Sequence, residues 1–198
     1  MYRTEQPANL GGEPIESVIL RRGSTRMFRH ETVPEAAFTG PMQAATSSGP
    51  LLEHLVATHA VEGVASTASR ETTEHLTLDQ PLGGDAAYTV FHAVDLDRVL
   101  EDLGPRAYRA ANFEAGLAAG RLQLAAFSVA LGATGLTFYD DEVRRVFATS
   151  ASCLLVTAVG VPAYRSTPGG PPGNPSRLHG FDLLMSRLQR QLSERRRR

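Results

Sequence analysis

The chain predicts an α+β fold, a single domain of helices packed on a sheet, and three observations carry that expectation. Three separate apolar runs, at residues 54–61, 87–94 and 153–161, have strand character. One long stretch, residues 105–131, repeats its apolar positions at helical spacing. Helical and extended segments alternate without clean βαβ units, which argues against a doubly wound sheet. The 198 residues suffice for one well-packed domain and are too few for two ordinary ones. The expected division is a disordered N-terminus over 1–12, one domain over 13–194, and a basic tail, Arg195 to Arg198.

Taken in order, the elements begin with a short helix entered at Glu13 and Pro14, with Ile15, Val18 and Ile19 at helical spacing. It stops near Gly23. Val33 and Pro34 lead into a second helix carrying Ala36, Ala37, Phe38 and Met42. Residues 46–50, Thr-Ser-Ser-Gly-Pro, form a loop on composition. After the strand at 54–61, residues 62–84 lack firm periodicity and are expected as loop, with a short strand at 74–78. Residues 87–94 are apolar along most of their length, on both alternating faces, as in a strand buried on both sides.

The stretch 105–131 starts at Pro105, whose missing amide hydrogen costs nothing at a helix start. It has two apolar stripes. One holds Phe113, Leu117, Gly120, Leu124, Phe127 and Leu131, the other Ala115, Ala118, Leu122, Ala125 and Val129. Such a helix is expected to be buried on two sides. Gly116 and Gly120 each weaken an isolated helix by roughly 1 kcal/mol relative to Ala, so a close backbone approach is expected there, most economically from a second copy. An extended piece at 136–139 follows. Asp140 or Asp141 can then cap a helix through Val143, Val146 and Phe147. Beyond the strand at 153–161, residues 162–175 form a Gly- and Pro-rich arm, and residues 178–192 a terminal amphipathic helix.

Composition excludes several classes. The net charge is −1, so no overall field draws the chain to nucleic acid or an acidic membrane. No secretion-type apolar segment opens the chain, and no run reaches the roughly 20 apolar residues of a membrane span. The single cysteine, Cys153, precludes an internal disulfide, and a cytoplasmic location is expected. Cys153 itself reads as a small core residue rather than a nucleophile. His54, His59 and His92 lie on strand-like segments without metal-ligand spacing, and no metal is expected. Residues 169–173, Gly-Gly-Pro-Pro-Gly, are not a phosphate loop, because they lead into proline-rich chain.

The first candidate for chemistry is a basic turn with Arg22, Ser24 and Arg26 within five residues. Two guanidinium forks and a hydroxyl can saturate the oxygens of one phosphate. A solvated basic turn is the alternative.

In its setting, Ile19-Leu20-Arg21-Arg22-Gly23-Ser24-Thr25-Arg26-Met27-Phe28, the turn resembles the N-terminal signature of nitroreductase-like flavoproteins. There an Arg-x-Ser-x-Arg turn binds FMN. Phe113-Glu114-Ala115-Gly116, Leu124-Ala125-Ala126 and Leu131-Gly132-Ala133-Thr134-Gly135 are similar to that family's central helix and its exit. Gly104-Pro105-Arg106-Ala107-Tyr108-Arg109 resembles the Gly-x-Arg-x-Tyr-Arg element of the SagB-type dehydrogenases of thiazole- and oxazole-containing peptide pathways. The resemblance spans roughly residues 15–178. It implies a mixed, mainly antiparallel sheet flanked by helices, with a long buried central helix. It further implies a homodimer exchanging its C-terminal arms, with FMN at the interface. Backbone amides of residues 135–138, including Thr137 and Phe138, would face the reactive edge of the flavin. Arg177, with Arg165 as a weaker substitute, would close on the phosphate.

Two departures stand out. The family's loop after the second helix carries an Asn that touches the flavin, and residues 46–50 have none. The peptide dehydrogenases place a Lys-Tyr pair before the Gly of their motif, where this chain has Asp102 and Leu103. A base for ring oxidation would then come from Tyr108 or Arg109, with Asp102 behind them. The function the resemblance implies is an FMN-dependent oxidoreductase, a dehydrogenase converting azoline to azole in a modified peptide or a related metabolite. Alternatives are an NAD(P)H-dependent nitro or quinone reductase, and a non-catalytic scaffold subunit among other biosynthetic enzymes.

Overall fold

Two prolines open the first two helices: Pro14 precedes α1 (Ile15–Arg21) and Pro34 precedes α2 (Glu35–Thr46). Each sits at φ −58°, the value its ring imposes, where no amide hydrogen is wanted. The computed structural model describes residues 13–165. The expected terminal disorder, the arm beyond residue 165, the terminal helix and the basic tail lie outside those residues. Between and after the first helices come β1 (Phe28–Arg29), β2 (Leu52–Thr58), α3 (Arg70–Leu76), α4 (Pro81–Asp85) and β3 (Tyr88–Val94). Then follow α5 (Leu96–Leu103), a 3₁₀ turn (Gly104–Arg106), α6 (Ala107–Ser128), β4 (Gly132–Leu136), α7 (Asp140–Phe147) and β5 (Ser152–Pro162).

Every strand pair is antiparallel. β5 is the spine of the sheet: it pairs with β3 and β4 along its length and with β1 at its C-terminal end. β2 pairs with β3, and a lone parallel bridge joins Val33 to Val61. β3 is buried at all seven positions, its mainly apolar sequence matching burial on both faces and its two polar residues, Thr89 and His92, hydrogen-bonded. Its alternate residues feed two cores. Tyr88 and Val90 join Val18, Val33, Leu122 and Phe127 on the face covered by α1, α2 and α6. Phe91 joins Phe28, Leu76, Val143 and Val156 on the opposite face.

The expectation for residues 62–84 is corrected. In place of a short strand in a continuous loop, α3 and α4 take up about half of the segment, and residues 74–76 are helical. α3 has seven residues rich in Thr, Glu and His, too short for a convincing period, and its signal is local. Ser69 caps it, the hydroxyl accepting from the Thr72 amide. Tertiary packing does the rest: Arg70 donates to the carbonyls of Gly84 and Ala86, and a Cβ at Gly83 or Gly84 would overlap Thr77 or the Arg70 carbonyl. α5 was likewise unanticipated; Asp95 caps it by accepting from the Arg98 amide at 3.2 Å.

Asp140 does not cap α7, contrary to expectation. One of its oxygens accepts from the Cys153 amide at 2.8 Å and the other pairs with Arg144 at 2.9 Å, so it ties α7 to β5. Burial pushes the Cys153 thiol up to about 12, which keeps it an inert core group.

Among the described residues, the first part of α6 is covered on one side only. Ala111, Ala115, Ala118, Leu122 and Ala126 form the inner face, small residues that let the helix lie close to the sheet. Leu122, fully enclosed, contributes about 2 kcal/mol of burial. The first part of the other stripe looks outward, with Phe113 71% and Leu117 38% exposed, whereas its end, Phe127 and Leu131, is buried in the core. A Cβ at Gly116 or Gly120 would meet nothing within 4 Å. The helix stops at Ala130, at φ 61°, where the Leu131 amide reaches back to Ala126 at 2.9 Å.

One polar network crosses the inner sheet. His92 is wholly buried; its Nδ1 faces Nδ1 of His54 at 3.0 Å and its Nε2 contacts Thr157 Oγ1 at 3.2 Å. Desolvation, with the neighbouring His54, lowers the His92 pKa to about 3. Burial also lowers that of His59, to about 4. These groups are neutral when folded and near 6.5 when unfolded, so the unfolded chain takes up their protons first. Their contribution is complete above pH 6.5 and is lost as pH falls from there toward 3. Thermal unfolding should show stability falling across that window by on the order of a few kcal/mol. His92→Asn should flatten the lower part of the curve; an unaltered profile would show that the pair does not govern acid stability.

Candidate functional site

The basic turn is held by what lies beneath it. Leaving α1, the chain is extended at Arg22, with φ −63° and ψ 147°. Burial then alternates: Gly23 and Thr25 are buried, whereas Arg22, Ser24 and Arg26 are exposed. Extended chain with that alternation sends the three functional side chains to one side. The Thr25 amide donates to the Ala133 carbonyl at 3.1 Å, and Ser24 Oγ lies 2.8 Å from Thr134 Oγ1, so the turn is laid along β4. If Thr134 donates in that contact, the Ser24 proton is left for a ligand.

The three arginines differ in their commitments. Arg21 pairs with Glu13 and donates to the Phe127 carbonyl at 2.8 Å, so it is a structural strut between α1 and the end of α6. The guanidinium groups of Arg22 and Arg26 have no hydrogen-bond or ion-pair partner among the described residues. Two uncommitted cations and a hydroxyl on one side of an anchored turn fit a phosphate monoester, the anionic end of FMN.

β4 carries the second group of candidates. Thr137 lies three residues beyond Thr134, about 10 Å in extended chain. Its hydroxyl accepts from Gln80 Nε2 at 2.8 Å, and Phe138 packs on the outer core. The basic turn is therefore laid along β4, and the 137–138 segment directly follows the end of that strand. Arg165 is exposed at the edge of the described residues, and Arg177 lies outside them.

The proposed bases stand elsewhere. Asp102 is exposed on the last turn of α5, and Tyr108 and Arg109 are exposed on the first turn of α6. Arg21 and the turn meet the other end of α6, at Phe127. Nineteen residues of helix put Tyr108 roughly 28 Å from that end. The described residues of one chain do not bring these side chains together with the turn.

Several residues that matter near the site were not singled out from the sequence. Glu114, 8% exposed on α6, accepts from the Leu51 amide at 2.8 Å and the Leu52 amide at 3.2 Å. Arg121 donates to the Ser47 carbonyl at 2.8 Å. Both pin the loop after α2, where the family's Asn is missing. Their signal was a pair of charges seven apart, two helical turns, among small residues. His75, Asp79 and Tyr139 form a further cluster beside Thr137, from segments 60 residues apart that no local pattern connects.

No protein-family model and no curated protein sequence matches the chain. Solved structures do. A protein of Anabaena variabilis assigned as a nitroreductase is 26% identical, with TM-score 0.69 over 75% of this chain and 38% of that one. The chain thus corresponds to well under half of that protein's length. The NfrA1 nitroreductase of B. subtilis is 19% identical, with TM-score 0.64 over 93% of this chain and 84% of that one. An NADPH:FMN oxidoreductase of Vibrio harveyi, complexed with NAD+, is 15% identical, with TM-score 0.64 over 90% and 85% of the two chains. The chain has the fold of the nitroreductases and NAD(P)H:FMN oxidoreductases.

Seating of the turn on β4 depends on Gly132. A Cβ there would overlap the buried Thr25 side chain. Gly132→Ala is expected to lose about 1–3 kcal/mol in denaturant unfolding, the usual range for overpacking. A loss below a few tenths would mean that Thr25 moves freely and that the turn is not anchored as described.

Proposed function

We propose that the protein is an FMN-dependent oxidoreductase, and the observation that carries this is the row Arg22, Ser24 and Arg26 anchored on β4 within a nitroreductase fold. FMN, when bound, supplies two-electron redox chemistry. The chain's own residues bind and orient. Arg22 and Arg26 pair with phosphate oxygens, Ser24 donates a hydrogen bond to them, and Arg177 closes on the same group. The backbone amides of residues 137 and 138 stabilise electron density at the reactive edge of the ring. The named solved neighbours, a nitroreductase and an NADPH:FMN oxidoreductase, favour an NAD(P)H-driven reductase of nitro compounds, to which quinones are added as a related acceptor class. The Gly104-to-Arg109 element favours a second reading, a SagB-type dehydrogenase of azoline rings in modified peptides. That reading needs Tyr108 and Arg109 from a partner chain.

A homodimer is part of the proposal. The stripe of Phe113, Gly116, Leu117 and Gly120 is apolar, outward and unopposed among the described residues. A second copy of α6 fits the close approach that the two glycines permit.

The purified protein should be yellow and release FMN on heating. Arg22→Ala with Arg26→Ala should fold but lose the flavin, because each charge-assisted contact is worth about 1.5–3 kcal/mol, or more than tenfold in affinity. A colourless protein that takes up no FMN would overturn the proposal and favour the scaffold alternative.

Gly120→Leu separates the two views of α6. In an isolated chain the site is open and the change should stabilise the helix by roughly 1 kcal/mol. In a dimer it should wedge the helices apart, giving monomers or aggregates in light scattering. A variant of unchanged mass and higher stability would exclude this interface.

A further inference from the structure

His75 ends α3, and four residues later the chain makes an unusual turn. Leu78 and Asp79, neither of them glycine, both lie in the left-handed region, at φ 57° and 54°. The turn brings Asp79 Oδ1 to 2.9 Å from His75 Nδ1. Tyr139, arriving from β4, donates its hydroxyl to the other Asp79 oxygen at 3.4 Å. Its ring lies against the imidazole, with centroids 5.3 Å apart. Two further bonds lock the cluster to the candidate flavin segment. The Tyr139 amide donates to the Leu76 carbonyl at 3.0 Å, and Gln80, next to Asp79, donates to Thr137 at 2.8 Å.

Stability does not account for this arrangement. The His75 and Asp79 side chains are 54% and 65% exposed, and an ion pair so placed contributes little. A histidine in the last turn of a helix suits the helix dipole, yet that role needs neither a strained Asp79 nor a tyrosine from another element. What the geometry achieves is orientation. With Nδ1–H donated to Asp79, the tautomer and ring plane are set and Nε2 is left to exchange a proton.

We propose that His75 is the proton-exchanging residue of the redox site, with Asp79 and Tyr139 as its positioning residues, serving an acceptor of the quinone class. This rests on the reading of the chain as a flavin-dependent reductase, with reduced flavin as the reductant. A quinone that has gained two electrons and one proton there carries negative charge on its second oxygen. The Nε2–H bond of the His75 imidazolium breaks and its proton forms the O–H bond on that oxygen. Hydroquinone leaves, and the neutral imidazole regains its proton from water.

The test uses the full chain loaded with FMN and 2-methyl-1,4-naphthoquinone as acceptor. Without reductant, the labelled His75 imidazole signals, assigned by their absence in His75→Gln, should shift when the quinone is added, while those of His30 should not. In turnover with NAD(P)H, His75→Gln should lower kcat at least tenfold, with KM within twofold and flavin content unchanged. Asp79→Asn preserves a residue type that tolerates the left-handed region. It should reduce the Nδ1-protonated tautomer in ¹⁵N spectra and lower kcat while sparing KM. Unchanged kcat in His75→Gln with flavin retained overturns the inference and leaves the flavin reading standing. A fall in kcat that merely follows lost flavin overturns it as well. Failure of the wild-type chain to bind FMN overturns both.

Discussion

The close seating of α6 on the sheet is the contact from which the rest of the molecule is hung. It is made by small residues, Ala111, Ala115, Ala118 and Ala126, around one large one, Leu122. Larger side chains along that face would lift the helix and open the inner core. Because the helix lies low, its ends and flanks reach other elements. Phe127 offers its carbonyl to Arg21, Glu114 gathers two amides of the loop after α2, and Arg121 holds the start of that loop. α6 thereby sets the positions of α1, of the loop and of the strand that follows it.

From that seating the candidate site is built outward along β4. Backbone and hydroxyl contacts fix the turn at Ala133 and Thr134, and Gln80 fixes Thr137 three residues on. The charged groups make no contribution to the anchoring. Arg21 spends its charge on structure, whereas Arg22 and Arg26 keep theirs. A phosphate would find two cations already oriented by backbone that is paid for by the fold.

The outward half of α6 has a different logic. Its outward glycines meet nothing among the described residues, and the residues at its start stand roughly 28 Å from its other end. Both observations make sense for a helix shared with a neighbour, where one chain's first turn lies near the other chain's strand.

Much of this was legible in the residues. The continuous run over 87–94 is buried on both faces, the two prolines open helices where they were expected, and the Arg22-Ser24-Arg26 triplet lies in one row, because each signal is carried by neighbours in sequence. What escaped was held together from a distance. α3 and α4 are too short to show a period and depend on Arg70 and two glycines fitting each other. Asp140 resembles a cap in sequence, yet β5 offers it the Cys153 amide. His75, Asp79 and Tyr139 meet only because β4 delivers Tyr139 to the end of α3. Local periodicity and residue chemistry determined the longer elements and the basic turn; tertiary packing alone decided which side of α6 is covered and which distant side chains lie together, since those depend on how faces meet in space.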